Sequence, residues 1–356
     1  MARVLQSRGS DGARRHKRIM LWSLLVIVLG SMVLPLTGYL YVHVTDAYAA
    51  AQQDVNPRAN TWRAVRDGTQ GYTSSHGPYA TDVFIQNGGE NWRQIRNGPV
   101  ANIAPWVLAA VLLAIGLFYL VRGTARVEQE RSGERVPRWN LAERIIHWYT
   151  AILFIILAIT GLSLLFGRAA LIPVFGLPGF SVYATGAMAL HNYLGPFFVV
   201  GVLLEVVSWI KNNIPRGYDL AWIRQGMGMV RGRHPHSGKV NAGEKGWFWF
   251  IATFGIAVCV TGLIMDFPNF QQSRETMQIA NIIHASLGVL WVAISFGHIY
   301  LGSIGVEGAF EGMATGKVSA EWARQHHDLW YEELKERGET GPEKPAQRPS
   351  PGPASS

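Results

Sequence analysis

The chain has 356 residues, 49% of them hydrophobic, and it includes 13 Trp. Several apolar runs approach or exceed about eighteen residues, which excludes a single soluble domain and points to a polytopic membrane protein. The formal net charge of +8 falls largely in short segments between those runs, where cytoplasmic loops collect Lys and Arg, so no nucleic-acid partner is expected.

The one cysteine, Cys259, lies inside an apolar run. A single Cys excludes an intramolecular disulfide, a Cys-x-x-Cys-His haem attachment and a four-cysteine cluster. Any iron–sulfur chemistry must therefore sit on a partner. Cys259 itself reads as a small buried apolar residue.

Residues 14–18 are Arg-Arg-His-Lys-Arg, and an apolar run from Ile19 to about Val44 follows. Residues 1–49 read either as a signal peptide, with Ala47-Tyr48-Ala49 as its cleavage site, or as an uncleaved transmembrane anchor. Either way the basic start is cytoplasmic and residue 50 emerges outside. Residues 50–101 are polar, with turn signals at Asn87-Gly88-Gly89 and Asn97-Gly98-Pro99 and a short candidate strand at Asp82–Gln86. They are too polar for a core of their own and are expected as a periplasmic segment packed against a neighbour. His76 and Trp92 are read as surface or packing residues. Residues 102–122 form an additional transmembrane helix that returns to the cytoplasm, because Arg122, Arg126, Arg131, Arg135 and Arg138 follow. The cytoplasmic linker 123–138 is charged, reads as mobile and marks a domain boundary.

Residues 139–335 carry four spans, at about 141–166, 186–211, 247–267 and 279–302. The connection 211–246 holds Lys211, Arg216, Arg224, Arg231, Arg233, Lys239 and Lys245, whereas the connections after the first and third spans are nearly neutral. Charge bias puts 211–246 and the C-terminal end inside. Residues 336–356, rich in Pro, Glu and Ser, read as a disordered tail.

The last span carries His284 and His298, fourteen residues apart. That separation is about 21 Å along a helix and misses whole turns by only about 40°, so both imidazoles leave one face, near opposite sides of the membrane. Ionisable residues inside a span are costly and generally functional. The alternating direction of the spans puts His191 at the outer level with His284, and His147 at the inner level with His298. Two histidines at each of two levels are what two bis-histidine b-type haems require, and two axial imidazoles leave the iron no open position for O₂. Gly161, Gly195, Gly262 and Gly288 lie in the spans, where a missing side chain lets a flat macrocycle or a neighbouring helix approach. Trp148, Tyr149, Trp247, Trp249 and Tyr300 read as interfacial belt residues. His234, His236, His326 and His327 read as solvated polar residues. The fold class expected is an all-α transmembrane bundle: a four-helix dihaem cytochrome b core, preceded by an N-terminal extension with one or two further hydrophobic helices.

At these residues the chain resembles the gamma subunit, the membrane cytochrome b, of respiratory formate dehydrogenases. The resemblance covers about 137–335. It is carried by Arg144-Ile-Ile-His147-Trp148, Leu190-His191-Asn-Tyr-Leu-Gly-Pro, Asn213-Ile-Pro215 with Asp219 and Trp222, Asn241-Ala-Gly-Glu-Lys245, Ile283-His284-Ala, His298-Ile-Tyr, and the tail from Glu311 to His327 with Trp330-Tyr331. The resemblance implies that His147, His191, His284 and His298 are the axial ligands of two haems b. It also maps a quinone site, for menaquinone or ubiquinone, onto Asn241, Gly243 and His298. It implies an iron–sulfur beta subunit and a molybdenum or tungsten alpha subunit that oxidises formate on the periplasmic side, with this chain in the bacterial inner membrane passing electrons inward. A bland alternative for Asn241 and Gly243 is that they cap the helix beginning near Gly246. The histidine frame alone is shared with hydrogenase and other respiratory cytochromes b, and a proton-relaying transporter is a further alternative. A transporter would favour carboxylates mid-span beside the histidines, yet Glu205 and Asp266 are almost the only ones in the four spans.

Overall fold

In hydrocarbon a backbone must satisfy its own hydrogen bonds, which apolar runs of this length do as helices. The computed structural model of the protein describes residues 40, 41, 44, 45, 87–228 and 234–340. Among them five helices are long and apolar enough to cross a membrane: Gly89–Arg122, Leu141–Ala170, Ile172–Asn213, Ala242–Asp266 and Arg274–Gly305. The all-α bundle expected from the sequence is therefore what forms. The expectations for residues 1–39, for His76 and the candidate strand, and for the tail beyond 340 lie outside the described residues.

In chain order the elements are α1 (Asn87–Ile95), a π turn, α2 (Ala101–Arg122), β1 (Arg135–Pro137), α3 (Leu141–Ala170), α4 (Ile172–Trp209) and α5 (Gly217–Arg224). Then come α6 (Ala242–Phe250), a second π turn, α7 (Ile256–Asp266), α8 (Arg274–Tyr300), a third π turn, α9 (Ala309–Thr315), β2 (Lys317–Ser319), α10 (Ala320–His326) and α11 (Asp328–Glu336). Two sequence signals end differently from their reading. Asn97-Gly98-Pro99 makes no turn out of helix; it forms the π-helical segment Arg96–Val100, which joins α1 to α2. The connection 171–180 is largely helical as well, interrupted at Gly176, whose φ of 68° breaks the geometry near the start of α4.

The chain divides into two compact units, one of residues 1–80 with 160–193, the other of 81–159 with 194–356. In the first, the end of α3 and the start of α4 are tied by a hydrogen bond from the Tyr183 hydroxyl to Ser163 (2.7 Å). Phe180 lies so close over Gly167 that a Cβ there would clash with its ring.

In the second unit α2 and α1 pack along α8. Trp92 donates from Nε1 to Asn281 Oδ1 (3.0 Å), and Phe118 and Tyr119 meet Tyr300 edge-on, each at 6.3 Å. The packing role expected of Trp92 thus has a defined partner. Phe154, Phe198 and Trp291 form an aromatic cluster with centroids 5.3 to 6.2 Å apart. Trp291 is seven residues from both His284 and His298, so this cluster fills the span between the two histidine levels of α8.

The segment 123–138 is not a loose connection. Ala125 donates to Gly305 O and accepts from Glu307 N, both at 2.9 Å. β1 pairs antiparallel with β2, Val136 opposite Val318. Both valines are fully buried in a small core with Ala320, Trp322, Ala323, Trp330, Tyr331 and Leu334. Charge in 123–138 suggested mobility because its partners lie some 180 residues away: Arg131 pairs with Glu307, Arg135 with Glu311, and Ser132 with the buried Glu321.

Candidate functional site

An imidazole meant for a group outside the polypeptide needs a face the polypeptide does not cover. His147, His191 and His284 are half-buried and His298 is exposed, although each sits within a membrane-length helix. In the second unit His147 on α3 and His298 on α8 come together with ring centroids 6.2 Å apart, tilted by 53°. Two metal–imidazole bonds of about 2 Å, plus a ring radius of about 1.1 Å at each end, add up to about 6 Å. That distance is right for one iron with an imidazole on either side. The Nδ1 of His147 is buried without a hydrogen-bond partner among the described residues, and the ring of His298 stacks on Trp247 at 4.8 Å and 13°. Trp247, read from the sequence as a belt residue, holds a candidate ligand in place.

The two other histidines are fixed by a device the sequence reading passed over. Thr-Gly-Leu occurs at 160–162 and again at 261–263. In the first unit Thr160 Oγ1 lies 2.8 Å from His191 Nδ1, and a Cβ on Gly161 would meet the same ring at 3.2 Å. In the second unit Thr261 Oγ1 lies 3.3 Å from His284 Nδ1, and a Cβ on Gly262 would stand 3.1 Å from the ring. His284 Nδ1 also lies 2.9 Å from the carbonyl oxygen of Val258. A carbonyl only accepts, so His284 carries its proton on Nδ1, and its Nε2 lone pair is left for a metal. Gly161 and Gly262 therefore serve the histidines, whereas Gly195 and Gly288, each four residues beyond a histidine, face open space of the kind a flat macrocycle occupies. The residues present fit haem.

The loop Asn241-Ala-Gly-Glu-Lys245 docks on the other stretch quoted for the resemblance. Asn241 Oδ1 accepts from Glu244 N, and Glu244 Oε2 accepts from Asn241 N, both at 2.9 Å, which is a capping box at the start of α6. Buried Lys245 donates to both oxygens of Asp219 (2.9 and 2.7 Å). A Cβ on Gly243 would lie 3.2 Å from the Trp222 ring. The capping role weighed from the sequence is thus present, one turn earlier than Gly246. It occupies only the oxygen of Asn241, and no hydrogen bond from its amide nitrogen is found among the described residues.

Beneath this loop lies a buried cluster that the sequence did not signal. Arg138 donates to Glu244 Oε1 (2.8 Å), lies 3.2 Å from His327 Nε2 and covers the Trp322 ring. His327 is 1% exposed and bonds through Nδ1 to Gly238 O (2.8 Å). The reading of His327 as a solvated residue is corrected here. Burial, with the Arg138 charge beside it, pushes its pKa down to about 3, and burial likewise takes His326 to about 4. His234 and His236 are exposed, each beside a carboxylate, Glu128 and Asp328.

A family model of prokaryotic cytochrome b561 matches residues 138–316, just over half of the chain. The chain belongs to the prokaryotic cytochrome b561 family. Within it, the nitrate-inducible formate dehydrogenase cytochrome b556 subunit of Escherichia coli K12 is 30% identical over 205 residues, 56% of this chain and 91% of the relative. A second formate dehydrogenase cytochrome b556 subunit of that organism is 28% identical over 210 residues, 58% and 96% of the two chains. The Haemophilus influenzae subunit is 29% identical over 206 residues, 56% and 83%. The chain accordingly falls with the formate dehydrogenase cytochrome b subunits, its membrane-length helices mark it as an integral membrane protein, and b-type haem is the cofactor its family implies.

Proposed function

We propose that this chain carries electrons across the bacterial inner membrane, from a partner iron–sulfur subunit to a quinone, within a complex whose molybdenum or tungsten subunit oxidises formate. In this reading His191 and His284 would hold an outer haem b, and His147 and His298 an inner one. Haem held by two imidazoles supplies reversible one-electron transfer and no bond chemistry. The chain's own residues orient the imidazoles, keep water from the path through the Phe154–Phe198–Trp291 cluster, and offer the quinone a donor in the Asn241 amide beside an uncovered Gly243. Menaquinone or ubiquinone would take its protons from the inner side while formate is oxidised outside, which builds membrane potential without a pump.

The observation that carries the proposal is the 6.2 Å separation of the His147 and His298 rings, matched to one iron between two imidazoles. The pairing of His191 with His284 rests on their depth in the sequence. The test is haem quantification on the purified complex. Two b-type haems per chain are expected from the pyridine haemochrome, with His147→Ala losing one and keeping the other reducible by formate. A ratio near zero would remove the reading.

A further inference from the structure

The candidate ligands differ in what holds their second nitrogen. His284 has its Nδ1 proton committed to Val258 O at 2.9 Å, with Thr261 Oγ1 at 3.3 Å. The Thr261 hydroxyl has a single proton, which goes to Ala257 O at 2.7 Å or Val258 O at 3.0 Å, so toward the imidazole it acts as an acceptor. His191 has Thr160 Oγ1 at 2.8 Å from Nδ1, in the same Thr-Gly setting. Both threonines are buried, at 5% and 8% exposure. His147, in contrast, has an Nδ1 buried with no acceptor among the described residues. A hydrogen bond accepted from Nδ1–H makes an imidazole a more electron-rich ligand. Such a ligand favours ferric over ferrous iron and lowers the reduction potential.

We propose that this contrast sets the order of potentials in the protein: the histidines of the two Thr-Gly pairs hold the lower-potential haem, and His147 with His298 the higher. The inference rests on the dihaem reading above and adds a direction to it, since electrons arriving at the lower-potential site then run downhill toward the site beside Asn241.

Nearby charges act the same way. Arg144 lies one turn before His147 on α3, anchored on the carbonyls of Met313 and Ala314, and positive charge favours the ferrous state. Carboxylates offset part of this: Glu244, bonded to Arg138 at 2.8 Å, still acts on His298 with its charge, and the buried Glu205 bonds Thr150, whereas Glu143 caps its own helix through Asn140. Lys239, stacked on Trp139 at 4.4 Å, adds further positive charge at this end. On the elements that hold His284 the charged residues are Asp266, Arg274 and Glu275, at the ends of α7 and α8, two acids against one base.

The test is a redox titration of the b-type absorbance in the intact complex. Two one-electron midpoints are expected. His147→Ala should abolish the higher and leave the lower; loss of the lower instead overturns the inference. Thr160→Val and Thr261→Val keep the side-chain shape and delete the hydroxyl. Each should raise the lower midpoint alone, by up to about tenfold in the reduction equilibrium, or about 59 mV for one electron, and serine at either position should restore it. Valine variants that move neither midpoint, or move both together, overturn the inference even where His147→Ala fails to assemble, as do coincident wild-type midpoints. A wild-type complex without b-type absorbance is a different result, because it defeats the dihaem reading itself.

Discussion

Asn241 serves two demands with two atoms. Its side-chain oxygen caps α6, and its amide nitrogen is the donor proposed for the quinone. Asn241→Asp separates them, because aspartate caps a helix as well as asparagine does but has no N–H to donate. The variant should fold with both haems, reduce normally with formate, and reoxidise with added quinone about tenfold more slowly, in line with one lost hydrogen bond. Asn241→Ala loses both functions and should also cost about 1 kcal/mol of stability. Unchanged quinone turnover in Asn241→Asp would leave Asn241 as a cap and nothing more. Gly243 is a poorer probe, since any side chain there presses on Trp222. The four candidate ligands were legible from the sequence because a histidine in an apolar span stands out one residue at a time. The acceptors behind them were not: a threonine in a span ordinarily bonds its own helix, and only the repeat of Thr-Gly-Leu at 160 and 261 hints at more.

At the scale of elements, the small core of β1, β2, α10 and α11 makes a pH-dependent clamp around Arg138. His327 ionises near 6.5 when unfolded but only at about 3 in place, because burial and Arg138 disfavour its charged form. Between those values the unfolded chain binds the extra proton, so stability rises with pH through this window and is complete above about 6.5. As pH falls below that, the clamp loses about 1.4 kcal/mol per unit from His327 alone, and His326 adds to the loss. Asp328 works in the same direction. Burial would raise its pKa, but hydrogen bonds from His236 and from the Ser237 and Leu329 main chain outweigh it and hold it low, so its contribution fades in still stronger acid. Hydrogen exchange should show protection of residues 317–338 falling between pH 6.5 and 5 while the middle of α8 stays protected; parallel loss in both would count against the clamp. Periodicity and hydropathy find membrane helices well, since each satisfies its backbone by itself. They miss β1 and the burial of His327, which exist only through residues far along the chain.

For the molecule as a whole, the proposed sense of each crossing rests on the alternation of basic and neutral connections. Reporter fusions after Arg168 and after Arg274 should read out the periplasm, and fusions at Arg224 and at Glu336 the cytoplasm. The opposite readings would reverse the direction of electron flow proposed above. The five described spans were all marked by apolar runs in the sequence. Their true lengths were not, because the long helix of α4 already begins just after the break at Gly176, through residues that hydropathy alone assigns to a connection.

The pairing of Arg135 with Ser319 also bears on biosynthesis. β1 leaves the ribosome before any of the four following spans, and its partner strand is made 184 residues later. At about 5–20 residues per second the wait is roughly ten to forty seconds. Until then Val136 has no strand to pair with, and the small core cannot close. A chain truncated or stalled before residue 319 therefore keeps the β1 edge and Val136 uncovered, where a protease or chaperone can tell an unfinished cytochrome from a finished one.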